Sequence, residues 1–260
     1  RDRTTPCRGA TLVPPLARSG NWLSGGTVTA SSTAMGYFAG GPDNSLTYEK
    51  WQPQSLGATW EYDHGNVAEC DYCAIAAHTM GTSGNTLQVQ YFDGSAWVDL
   101  IDATAIADDS AVFVFFGPQQ RQRWRIRMTN GVAPVVGVVK YGKAMQMPHP
   151  IYSGHTPIAL ARRTVMRSNV SAMGEFIGFT KQRSTLGSTF AWQTLDADWV
   201  RDNVPSLQKA LESEGCFIAW RPDTFGEVTY GFTTQTPIPT NTGLVNLMSM
   251  EISLTGYSHD

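Results

Sequence analysis

The stretch ECDYCAIAAHTMG, Glu69 to Gly81, decides how the first half of the chain is read. Cys70 and Cys73 stand in a Cys-x-x-Cys spacing with His78 five residues on, so the segment is either a ligand motif or a piece of core that contains sulfur. A zinc knuckle needs a tight turn and a second ligand pair, whereas the remaining cysteines, Cys7 and Cys216, are isolated. Read as a strand, the segment puts Cys70 and Cys73 on opposite faces, with Cα atoms about 10 Å apart at ~3.3 Å per residue. That exceeds the ~7 Å reach of a disulfide and is too far for a shared zinc. Cys73 and Ile75 then lie on one face and Tyr72, Ala74 and Ala76 on the other, in a central strand that ends at a loop around His78 to Asn85. No metal is expected here.

Working outward, Thr27 to about Tyr141 reads as short alternating segments separated by Gly, Asn and Asp clusters, the pattern of a sandwich or barrel. TLQVQYF places Leu87, Val89 and Tyr91 on one face, and Asp93-Gly94-Ser95 turns the chain into AWVDL as a hairpin. AVFVFFG and APVVGVVKYG are apolar on both faces, as central strands are. RQRWRIRM alternates Trp124, Ile126 and Met128 with Arg121, Arg123, Arg125 and Arg127. The arginine face is either an ordinary solvated strand face or a surface for an anion, a glycan or an acidic partner, since four guanidiniums repel unless acid lies near.

The segment KAMQMPHPIYSGHTP carries three prolines and sets the domain boundary, giving 1–146 as a β-sandwich and 147–260 as an α+β domain. Its His149 and His155 read as exposed linker residues without a carboxylate or thiol at ligand spacing. Beyond it, strands are expected around Gly174 and Gly178. DADWVRDNVPSLQKALESEG then reads as the one helix region, with Asp196 as N-cap, Gly215 as C′ residue and a kink or restart at Pro205. CFIAWRP, EVTYGFTT and LVNLMSMEISLTGY return to strand pattern, so the whole is mainly β with one helix region against a sheet.

Composition narrows the function. A net charge of −3 and a pI near 6.0 argue against a general nucleic-acid binder. Charged residues make up 16% of the chain, below the roughly 25% usual for soluble domains, which favours β structure with surfaces covered by partners. No apolar run reaches the ~18 residues of a membrane span, and RDRTTPCRGATLVPP has no apolar signal segment. Four cysteines in 260 residues do not make a disulfide scaffold. Gly-x-Ser-x-Gly, His-Glu-x-x-His and phosphate-cradling loops are all missing from the sequence, so no enzyme, catalytic residue or cofactor is expected. A glycosidase acid pair needs no sequence proximity, and a glycan hydrolase stays as the least favoured alternative.

The order TVTASSTAMGYFAGGPDNSLTYEKWQPQ, ATWEYDHGNVAECDYCAIAAH, TLQVQYFDGSAWVDL, RQRWRIRM, VVGVVKYGKAM resembles the discoidin-type β-sandwich, also found as a carbohydrate-binding module, over roughly the first 145 residues. The Asp71-Tyr72-x-x-Ile75-Ala76-x-His78 form of the central strand looks like the one in tail proteins of tailed bacteriophages. ARRTVMRSNVSAMGEFIGFTKQRS, FAWQTLDADWVRD, GCFIAWRPDTFGEVTYGF and MSMEISLTGY are similar to the ring-forming domain of phage distal tail and baseplate proteins. The resemblance implies a structural virion protein of the tail tip or baseplate, made in the host cytoplasm. It also implies a homo-oligomeric ring with other tail proteins as partners and an outward jelly-roll module. In distal tail proteins the ring domain usually comes first, and here the order is reversed. A freestanding carbohydrate-binding protein is the alternative.

Sugar-binding modules of the discoidin type use end loops with an exposed aromatic and nearby amides or carboxylates. The matching segment is MGYFAGGPDNS, with Tyr37, Phe38, Asp43 and Asn44 as candidate contacts to a host surface glycan or partner. The other reading has one or both aromatics plugging the end of the sandwich. Trp51 and Trp60 read as core. Asp43 and Glu49 are the only acids close by, too few for the oxygen-rich set that calcium prefers.

Overall fold

The computed structural model describes residues 15–18, 22–149, 151, 154–220 and 227–258. Cys7 and the opening segment lie outside them. The strands are β1 (Pro15–Arg18), β2 (Thr27–Ala30), β3 (Ala58–Ala76), β4 (Thr86–Phe92), β5 (Trp97–Ala105), β6 (Val112–Thr129), β7 (Val138–Gly142), β8 (Met145–Gln146), β9 (Arg162–Val170), β10 (Phe176–Asp196), β11 (Cys216–Ala219), β12 (Val228–Phe232), β13 (Thr240–Asn241) and β14 (Leu247–Gly256); helix α1 (Ala197–Leu211) follows β10. They form two antiparallel sheets, mainly β with a single α-helix among the described residues.

The first sheet runs β2-β3-β6-β4-β5, with β7 pairing the far half of β3. AVFVFFG and RQRWRIRM, expected as two strands, are one continuous strand, β6, paired to β3 along both of its halves. Register shifts at Asp63/Ala68 and Cys70/Tyr72 bend this pair, so the sheet folds over a single core. Tyr141 of β7 accordingly stacks near both Tyr62 and Trp124, at 6.5 and 6.2 Å between ring centroids. Trp51, Trp60, Trp124, Ile126 and Met128 are fully buried in that core, as their periodicity requires.

The opening stretch changes meaning here. Cys70 and Cys73 do not lie on opposite faces; both belong to the sandwich core. The irregularity between Cys70 and Tyr72, where the partner advances from Gln119 to Phe115, breaks the alternation that an uninterrupted strand would impose. Beyond it the period of two resumes. Cys73 and Ile75 enter the sandwich core, while Tyr72, Ala74 and Ala76 face a second core shared with Phe217, Ala219, Val228 and Tyr230 of the other sheet. The strand is apolar on both sides because both sides are covered.

The second sheet runs β8-β1-β11-β12-β14-β10-β9, with β13 on β14. Strand β1 precedes the sandwich in sequence yet pairs with β11 and β8 in this sheet, so the sandwich is inserted between two strands that bond to each other. On one face α1 packs Val200, Val204, Leu207 and Leu211 against Phe190, Trp192, Met250 and Ile252. Asp196 caps the helix by accepting from the amides of Asp198 and Trp199 at 2.9 and 3.0 Å. Pro205 neither stops nor restarts it, and the helix ends at Leu211 with Glu212 as C-cap, so Ser213 rather than Gly215 follows in the C′ position. His155 is not an exposed linker residue: its ring is half-buried, 4.3 Å from Trp220 and 5.6 Å from Phe190, whereas His149 is exposed.

Candidate functional site

The connection from β2 to β3 contains the aromatics singled out by sequence, and its course is fixed by hydrogen bonds from rigid elements. Trp51 Nε1 donates to the Ser32 carbonyl at 2.9 Å and Trp60 Nε1 to the Ala39 carbonyl at 2.8 Å. Lys140 on β7 donates to the Asp43 carbonyl and lies 4.5 Å over the Trp22 ring. Tyr230, from the other sheet, donates to the Ser45 carbonyl at 2.6 Å. Within the loop, Asn44 accepts from the Leu46 amide at 2.7 Å and donates to Glu49 at 2.5 Å. A loop tied at this many backbone points loses little further entropy when it binds.

The side chains left outside are apolar and aromatic: Phe38 is 50% exposed and Tyr48 73%. They bound an open cleft of about 720 Å³ with Gly36, Tyr37, Thr47, Glu49, Lys50 and Tyr257. Of the four residues expected to touch a ligand, Tyr37 and Phe38 line the cleft. Asp43 and Asn44 are absent from its lining and hold the loop instead. Burial raises the Asp43 carboxyl above its ordinary value, with Lys140 opposing. Sequence reading passed over Tyr48, Lys50 and Tyr257. The TYEK run beside Trp51 was the available signal for the first two, whereas Tyr257 reaches the cleft only through tertiary placement.

The arginine stripe is met within its own sheet. Arg123 pairs with Glu61 and approaches Asp63 at 3.8 Å, and its guanidinium lies 4.7 Å over Phe92. Arg125 lies 4.1 Å over Trp97 and donates to Gln90 at 2.6 Å. Arg121 covers Tyr91 at 4.8 Å, and Arg127 reaches Gln88 at 3.5 Å. Glu61 and Asp63 of β3 supply the acid beside Arg123, while aromatic rings and glutamines meet Arg121, Arg125 and Arg127; none of the four arginines lines the aromatic cleft.

A second cavity, about 660 Å³, lies between the sheets with Asp109, Phe113, Arg162, Thr229 and Tyr257 on its walls. Asp109 accepts from the Thr82 amide at 2.9 Å and from its hydroxyl. Cys70, Cys73 and Cys216 are buried free thiols, and burial pushes Cys70 and Cys216 each up to about 12. Such thiols are poor ligands and poor nucleophiles at neutral pH. Among the described residues, no three His, Cys, Asp or Glu side chains are grouped to hold a metal. No described helix is long and apolar enough to cross a membrane.

No protein-family model matches the chain, and no curated protein matches it. Solved structures do. One is a pectin-binding carbohydrate-binding module, at a TM-score of 0.40 and 14% identity over 45% of this chain and 89% of that one. Another is the family 32 module of NanJ from C. perfringens, solved with galactose, at 0.41 and 15% over 49% and 99%. A third is chitosan-binding module 1 of a Paenibacillus sp. IK-5 chitosanase/glucanase, at 0.39 and 15% over 49% and 99%. Similarity at this level leaves ligand and partner to be argued from this chain's own residues.

Proposed function

We propose that the protein is a structural subunit that associates with copies of itself through its second sheet and carries the sandwich as an outward recognition module. One observation carries this reading. From Arg162 to Thr185, β9 and the first half of β10 pair, among the described residues, only with each other, forming a ribbon that continues past the sheet with nearly every residue exposed. A free two-stranded ribbon is marginal in water, and this one holds its apolar side chains outward, as a surface awaiting a partner does. The resemblance to phage distal tail and baseplate proteins supports placing the assembly, as a closed ring, at a virion tail tip. Light scattering on the purified chain, with electron microscopy of the particles, tests the reading. A closed oligomer is expected, and a chain that stays monomeric at high concentration would overturn it.

A second reading, carbohydrate recognition, is favoured by the cleft of Tyr37, Phe38 and Tyr48. Exposed rings on a pinned loop, with Glu49 and Lys50 beside them, suit the apolar face and the hydroxyls of a sugar ring. The two readings are compatible, since the ribbon and the cleft share no residue. On a glycan array, saccharide binding that Phe38→Ala and Tyr48→Ala each abolish is the expected result. Binding indifferent to both changes would remove the cleft from the account.

A further inference from the structure

Apart from Leu160, Phe232 and Ile238, the exposed apolar residues of the second sheet gather in two clusters at opposite ends. At one end stands the ribbon, where Met166, Val170, Met173, Phe176, Ile177 and Phe179 are all exposed, Met173 to 93%. Its turn is well defined: the Ser171 amide donates to the Glu175 carbonyl at 2.8 Å, the Gly174 amide to the Ser171 carbonyl at 2.9 Å, and Gly174 takes a φ of 87°. Strand β10 then enters the sheet at Leu186, opposite Gly256, and leaves it at Asp196, opposite Leu247. At ~3.3 Å per residue those ten steps carry the chain about 30 Å. There, at the far end, the turn between β13 and β14 presents Leu244 and Val245, the latter 90% exposed. The stretch between the ends presents Thr189, Gln193, Glu251, Ser253 and Thr255 on its open face, with Phe232, 39% exposed opposite Thr255, as the apolar exception.

Charge divides the same way. Residues 162–185 hold five basic side chains (Arg162, Arg163, Arg167, Lys181, Arg183) and one acid, Glu175. The far end holds the exposed acids Asp196, Asp198 and Asp202 at the start of α1, against Arg201 alone. The Ala197 amide donates to the Asn246 carbonyl at 3.0 Å, so these acids sit directly beside the Leu244 and Val245 turn. Each end is therefore apolar, but one is rimmed by positive charge and the other by negative.

The geometry points to a head-to-tail contact: the ribbon of one copy docks on the Leu244 and Val245 turn and the acidic α1 start of the next. Such a contact is heterologous, because two different patches meet, and repeating it closes a ring or extends a filament. Ribbon against ribbon would instead bring like charges together. The inference rests on the self-association reading and specifies its interface.

The test uses two variants of the whole chain, F176S/F179S on the ribbon and L244D/V245D on the far turn, sized by mass photometry alone and mixed. All four positions are exposed, and matching circular dichroism and melting curves verify that both variants fold. Each variant alone is expected to be monomeric, with its dissociation constant raised at least ~30-fold, as loss of an interface hot spot does. Mixed one to one, they retain one intact ribbon and one intact far turn between them, so a dimer and nothing larger should form. As a second readout, I177C and V245C chains, mixed under oxidation, should give a disulfide dimer that neither gives alone. An oligomeric wild type whose two variants stay monomeric when mixed and do not cross-link would overturn this contact while leaving self-association standing. A monomeric wild type would overturn both.

Discussion

The hydroxyl of Tyr230 donates to the carbonyl oxygen of Ser45 at 2.6 Å, joining β12 of the second sheet to the loop that shapes the aromatic cleft. The ring of Tyr230 meanwhile packs at 4.6 Å from Phe217 in the core between the sheets. Tyr230→Phe keeps that packing and removes only the hydrogen bond. It should cost about 1 kcal/mol in urea denaturation, the net worth of one such bond. It should also weaken saccharide binding at the cleft while leaving oligomer size unchanged, because β12 shares its register only with the base of the ribbon, through Gly231, Gly256 and Leu186, and not with the exposed Met173 to Phe179 tip. A variant that changed oligomer size and spared the cleft would show that the loop does not depend on this tether.

Lys140 makes a harsher case. It is buried, donates to the Asp43 carbonyl and sits over Trp22. Burial holds its ammonium below the ordinary value, with Asp43 opposing. Lys140→Met has nearly the same reach but no donor, so the Asp43 carbonyl loses its partner and the Gly41–Asp43 turn its anchor. The expected loss is about 1–3 kcal/mol in denaturant melts, the cost of an unsatisfied buried group. No change in stability would mean that water replaces the ammonium at the carbonyl.

The thiols provide a direct check on the opening stretch. Burial raises Cys70, Cys73 and Cys216, so native protein carrying Cys7→Ser should resist a thiol-specific reagent over hours and react at all three sites on unfolding. Zinc titration should show no tight site. Tight binding abolished by Cys70→Ser would restore the ligand reading that the fold has replaced with packing.

Why some of this was legible and some not follows from where the information lies. The face of β6 could be read because Trp124, Ile126 and Met128 alternate with arginines, and burial acts on that period directly. The position of Cys70 could not, because the irregularity that turns it inward depends on how Gln119 and Phe115 pair from the partner strand. Strand β1 has four residues and no period to detect, and only its pairing with β8 and β11 reveals that the second sheet begins before the sandwich. That placement also bears on the order of parts, since the sandwich is an insertion within the second sheet's chain. At the cleft, Tyr37 and Phe38 were visible as aromatics in a glycine-rich loop, whereas Tyr257 comes from the end of the chain.

His155 supplies a pH signature with a definite sign. Its ring stands beside Trp220 and Phe190, and this burial holds the imidazole below its ordinary value, the Glu227 carboxylate pulling the other way. In the unfolded chain the ring takes its proton near pH 6.5; the folded protein resists until lower pH. The unfolded state therefore binds more protons in that interval, and the His155 contribution is complete above about pH 6.5 and declines as pH falls below it. Asp43 and Asp71 act in the opposite sense, because burial raises both carboxyls and protonation then favours the folded state. Comparing wild type with His155→Gln cancels these shared terms. Urea midpoints at pH 7.5 and 5.5 should fall more steeply on acidification for the wild type than for the variant. Equal slopes would show that His155 titrates alike in the folded and unfolded states, and that its aromatic contacts leave the ring open to solvent.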